Sequence, residues 1–153
     1  SAKLWLDHLL YTKLVVMGIL ENRPDLNTNL SLLLKNQGDI ASLFGSDAPV
    51  VEKLLVEHIK LAGKVVSDVK TNSPSTDTDV NDLYTNAKQI GNYLDGRASA
   101  NSTQFDNHMK MHIDTLIAMV KESGGINGTK STDDYTTAGM EMAFDMAKLL
   151  PKA

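Results

Sequence analysis

The chain has no cysteine, which excludes disulfides, thiolate metal sites and cysteine nucleophiles together. It also lacks a long hydrophobic run. The most apolar stretch, Leu14 to Leu20, falls far short of the roughly 20 residues a membrane-spanning helix needs. No basic patch is present either: the net charge is −4, the pI is near 5.5 and the lysines are scattered. Nothing in that distribution resembles the electrostatic footprint of a nucleic-acid or anionic-lipid binder. There is no glycine-rich phosphate loop, no Gly-x-Ser-x-Gly elbow and no carboxylate pair suited to glycoside chemistry. Nowhere does the apolar/polar alternation of a half-buried strand persist for more than a few residues.

What is present is helical periodicity. With 42% hydrophobic and 22% charged residues over 153 positions, the chain can bury a core as a single domain, 1–153, without metal or crosslink. The fold expected is all-α, an up-and-down helical bundle of five to six helices with a four-helix-bundle-like core. The first helix spans about Ala2 to Glu21 and the second region about Pro24 to Gly45, split by a break at Gln37-Gly38-Asp39. A third helix runs from behind Ser46 or Asp47 to about Lys70, with Pro49 in its first turn. After the loop Thr71 to Asp79, a fourth covers about Asp79 to Leu94, closed by Asp95-Gly96. A fifth starts behind Ser102 or Thr103 and stops at Ser123-Gly124-Gly125. The last occupies about Tyr135 to Leu150, ending at Pro151.

In such a bundle the first, third and fifth helices are parallel, and this fixes where the histidines go. On a helical wheel His8 lies among Leu4, Tyr11, Val15 and Ile19. His58 lies among Val51, Leu55, Ala62 and Val65, with Glu57 at the edge near the lysines. His112 lies among Phe105, Met109, Leu116 and Met119, while His108 sits on the flank. Each inward histidine falls roughly seven to ten residues past its helix start, about 10–15 Å along the axis. Asn86, between Leu83, Ile90 and Tyr93 on the antiparallel fourth helix, reaches the same depth.

Three neutral imidazoles converging with one coordination position open form a ligand set for a single transition metal, Zn, Cu, Ni or Fe. His8, His58 and His112 are the candidate metal ligands, and Asn86, Tyr11 and Tyr84 are candidate hydrogen-bonding partners for a metal or small polar ligand. Metal-assisted hydrolysis is the reaction class such a site would serve. The competing reading is a non-catalytic structural or interaction module whose buried histidines and Asn86 form a hydrogen-bonded network that specifies the core. The seven methionines read as core fillers or as soft ligands.

The motifs extend over most of the chain: Leu4-Trp5 with His8, Pro24 to Leu26, Leu32 to Ile40, Leu54 to His58, Tyr84 to Leu94 and Met111 to Asp114. Together they resemble a family of bacterial helical-bundle proteins, many of them exported, with no established activity. The resemblance implies that His8, His58, Asn86 and His112 are the recurrent polar positions. It departs at Leu83, where the family has an aromatic, at Met111, where it has an acid, and at Asn101 to Thr103, where it has a tryptophan-bearing loop. It also implies an extracytoplasmic location, with which a mature chain beginning at Ser1 is consistent. Sequons at Asn29, Asn101 and Asn127 are of the kind that arise by chance in an asparagine-rich chain.

Overall fold

Six helices make up the computed structural model, which describes residues 2–99, 101–122 and 130–149. They are α1 (Ala2–Glu21), α2 (Leu26–Ala41), α3 (Ala48–Thr71), α4 (Thr76–Ala98), α5 (Gln104–Lys121) and α6 (Lys130–Leu149), with a 3₁₀ segment, Ser42–Asp47, between α2 and α3. No strand occurs among the described residues, and the fold is an all-α bundle. Each helix packs on the next in sequence, α1 closes against α6, and α3 also touches α1 and α5. None of the helices is long and apolar enough to cross a membrane.

The α1 bounds agree with the expectation from periodicity; three others do not. α2 runs unbroken through Gln37-Gly38-Asp39. A helical glycine costs about 1 kcal/mol relative to alanine, but Gln37 is fully buried and its amide donates to Leu33 O (2.8 Å) and Asn36 Oδ1 (3.0 Å). Asn36 beside it donates across to Leu4 O of α1 (3.0 Å); this tertiary anchor outweighs the propensity, and the chain turns instead at Gly45, whose φ is +61°. α4 begins at Thr76, inside the stretch expected to be loop, and passes through Gly96 to Ala98. Asp95 does not end a helix. Its carboxylate accepts the backbone N–H groups of Phe105 (2.8 Å) and Asp106 (2.9 Å), capping α5 from a neighbouring helix and satisfying donors that α5 cannot. α6 starts five residues before Tyr135, at Lys130; the expected stop at Ser123-Gly124-Gly125 and the end at Pro151 lie outside the described residues.

The α1–α2 and α3–α4 hairpins are two copies of one unit displaced by 50 residues, so that His8 matches His58, Asn22 matches Asn72, Pro24 matches Pro74, and Asn36 matches Asn86. Helix, turn and burial patterns coincide along both. Each first helix ends on a left-handed asparagine, Asn22 (φ +52°) or Asn72 (φ +53°). In each, the next residue's N–H bonds back five residues, Arg23 to Gly18 O (3.0 Å) and Ser73 to Asp68 O (2.9 Å), the Schellman closure of a helix C-terminus. Each second helix sends an asparagine amide back to the first: Asn36 Nδ2 donates to Leu4 O at 3.0 Å and Asn86 Nδ2 to Leu54 O at 3.1 Å. The repeat therefore clamps two equivalent hairpins with equivalent buried amides, and α5–α6 completes the bundle around them.

Candidate metal centre

His8 faces inward because Trp5, Leu9, Val15 and Val16 on the same helix are all buried with it. His58 shares its stripe with Leu55, Ile59 and Ala62, and His112 with Met109, Ile113 and Leu116. The three imidazoles are 6%, 3% and 1% exposed. Their ring centroids form a nearly equilateral triangle, His8–His58 6.1 Å, His8–His112 6.0 Å and His58–His112 5.9 Å. One ligand nitrogen from each lies within 4.8 Å of the other two. Among the described residues this is the one place where three or more His, Asp or Glu side chains converge in this way.

The rings line a cavity of about 20 Å³, walled otherwise by Trp5, Leu55, Ile90, Met109, Met142 and Met146. Such a space admits an ion or about one water, not a larger molecule. With no carboxylate in the wall, burial dominates the electrostatics. It drives the His8 pKa from 6.5 down to about 3, helped by repulsion from His58, and the His58 pKa down to about 4. His112 is lowered well below the ordinary value by burial and then by the other two rings. All three are neutral bases at physiological pH, the form in which imidazole binds a metal.

Their second nitrogens are treated differently. His58 Nδ1 meets Asn86 Oδ1 at 2.9 Å, and because a carbonyl oxygen only accepts, His58 carries its proton on Nδ1 and leaves Nε2 with a free lone pair. Asn86 is oriented for this by donating its own amide to Leu54 O. In the other repeat, Gln37 stands where the second has Ala87. It occupies Asn36 Oδ1 and brings its Nε2 to 3.2 Å from His8 Nδ1. The Gln37 amide has two hydrogens, and Leu33 O and Asn36 Oδ1 take them at 2.8 and 3.0 Å, so no hydrogen bond fixes the His8 tautomer as Asn86 fixes that of His58. Gln37 Oε1 is buried without a partner. His112 has no hydrogen-bond partner at either ring nitrogen, although both are buried. A neutral imidazole always has one N–H, so His112 leaves a buried donor and a buried acceptor unpaired, an arrangement costing about 1–3 kcal/mol per group.

The structure thus brings His8, His58, His112 and Asn86 together, and it does not bring the two tyrosines with them. Tyr84 OH donates to Asp114 Oδ1 on α5, and its hydroxyl is held protonated by burial and by that carboxylate. Tyr11 packs partly buried with Val15, Leu33 and Ile59. Neither lines the cavity. The tyrosine ring packed on the histidines is instead that of Tyr135, which lies 5.7 Å from the His112 ring and whose pKa is raised by complete burial. His108 is on the flank, 2.8 Å from Asp145 Oδ2 on α6, and is not part of the cavity wall. Gln37 and Asn36 are the site neighbours that periodicity alone does not single out. In comparisons with known proteins, no family model, no curated protein and no solved structure matches the chain significantly.

Proposed function

We propose that the protein binds one transition-metal ion between His8, His58 and His112 at the centre of the bundle. The observation that carries this reading is His112, whose two ring nitrogens are buried and unpartnered inside a triangle of neutral imidazoles. A fold that keeps an unsatisfied imidazole in its core gives up stability that an apolar residue would have supplied, and an ion recovers it. His58 is already in the tautomer for Nε2 ligation. At His8, ligation through Nε2 puts the ring proton on Nδ1, 3.2 Å from the Gln37 amide nitrogen, which is itself a donor, so the amide has to shift to let it in. With room for an ion and about one water, the cavity supports binding, carriage or retention of metal better than hydrolysis of a substrate.

A second reading has its own support in the spacing. A triangle with sides of at most 4.8 Å has its centre no more than about 2.8 Å from each corner, within reach of a hydrogen bond, whereas metal–imidazole bonds of about 2.0–2.1 Å require nitrogens about 3.3–3.6 Å apart. A single water held by three imidazoles fits without movement. A metal draws each ring inward by up to about 0.7 Å. Titration of tag-free protein, stripped of metal, separates the two by calorimetry and elemental analysis. One equivalent of metal bound, and lost in His112→Ala, is the expected result. Failure of Zn²⁺, Ni²⁺ and copper in both oxidation states to bind near one equivalent would leave only the hydrogen-bonded layer.

A further inference from the structure

We propose that the ion this cavity selects is copper(I), held by the three imidazoles and by a thioether from the methionine side of the wall. The inference rests on the metal-binding reading above and narrows it. Beyond the histidines, the wall includes Met109 of α5 and Met142 and Met146 of α6, which are 3%, 4% and 1% exposed. Methionines fill many helical cores. These three differ in sharing a cavity with imidazole nitrogens that have no other partner. Neutral thioether sulfur is a soft donor that favours copper(I), whereas imidazole alone suits zinc, copper, nickel and iron alike.

Charge points the same way. The cost of desolvating an ion grows with the square of its charge, so a dication in a neutral ligand set carries about four times the burden of a monocation. Neither the ligand cluster nor the cavity wall contains an aspartate or glutamate, so the only anion beside a divalent ion here would be a hydroxide formed from a bound water. A monovalent ion needs none. Copper(I) has a filled d shell and takes trigonal or tetrahedral coordination without demanding water, which matches three rings at nearly equal separations around a space of about 20 Å³.

The test is anaerobic titration of the full chain with copper(I) against a chromogenic chelator, in parallel with Zn²⁺, on the wild type, His112→Ala and the triple change Met109→Leu, Met142→Leu, Met146→Leu. Methionine and leucine have similar volumes, so the triple variant should fold; the wild-type copper X-ray absorption spectrum gives a readout that does not depend on it. The expected result is one copper(I) bound more tightly than zinc and a sulfur scatterer in the spectrum. The leucine variant should lose about tenfold or more in copper(I) affinity with zinc affinity unchanged. Zinc binding as tightly as copper(I), or a copper shell of nitrogen only, would overturn the copper assignment and leave the three-histidine site standing. If neither ion distinguishes wild type from His112→Ala, both readings fall.

Discussion

Acidification from pH 7 to pH 5 should cost the metal-free protein about 4 kcal/mol of folding stability through His8 and His58 alone. In the unfolded chain each imidazole titrates near 6.5; in the fold His8 titrates at about 3 and His58 at about 4. Above pH 6.5 both states carry neutral rings and the difference vanishes. As pH falls below 6.5 the unfolded state takes up protons that the folded state refuses, so stability declines, and the decline levels off only as pH approaches 3 to 4. At pH 5 the penalty is about 2 kcal/mol per ring, and at pH 4 about 3. His112, lowered for the same reason, adds to it. Asp68 works in the opposite direction, because its hydrogen bond with Asp79 raises its pKa. Ordinary carboxylates titrate lower, near 4, so between pH 7 and 5 they contribute little beside the histidines. Against a typical total of 5–15 kcal/mol, the loss brings acid unfolding within reach of mild conditions. Urea unfolding followed by far-ultraviolet circular dichroism at pH 7, 6 and 5, with chelator present, measures it. A stability that does not change over that range would mean that the rings protonate within the fold, and the dry cavity would have to be abandoned.

Other perturbations test separate parts of the structure. His112→Leu removes two unpartnered buried nitrogens at similar volume and should raise the stability of the metal-free protein by about 1–3 kcal/mol in urea titrations at pH 7 while abolishing metal uptake; a loss of stability would show that the ring is satisfied after all. Asn86→Leu deletes the acceptor that sets the His58 tautomer and should weaken metal binding about 10- to 100-fold by competition titration. Gly91→Ala should lower stability by about 1–3 kcal/mol, because a Cβ there would stand 2.7 Å from Asp106 Cα and 2.9 Å from Phe105 O, where α4 and α5 touch. Gly63→Ala, with nothing within 4 Å of its Cβ, should gain about 0.5–1 kcal/mol; thermal melts of the two variants check the contrast.

The histidine layer was legible from the wheel because each ring lies in an apolar stripe long enough to define a face, and parallel alternate helices bring equal depths together. The amide partners were harder. Asn36 and Gln37 precede a glycine and an aspartate, which by local propensity resemble a helix end, and only the tertiary hydrogen bond of Asn36 to Leu4 O and the complete burial of Gln37 explain why the helix continues. Asp95-Gly96 misleads for the same reason: the carboxylate serves the start of another helix. Tyr84 shares a helix with Asn86 but points to Asp114, a difference of two positions that rotates a side chain by about 200° around the axis. One signal would have identified Asn36 without coordinates, namely the 50-residue displacement that superimposes His8 on His58 and Asn36 on Asn86.

The same displacement makes the two halves of the ligand set comparable within one molecule. Position 37 is glutamine and its counterpart 87 is alanine, so the His58 ring is held in one tautomer by Asn86 Oδ1 whereas the His8 ring faces an amide nitrogen. On the metal-binding reading proposed above, an ion would meet one arm already set for coordination and one that has to shift an amide to join it. A difference at this one position of the repeat is enough to make two matching histidines chemically unequal.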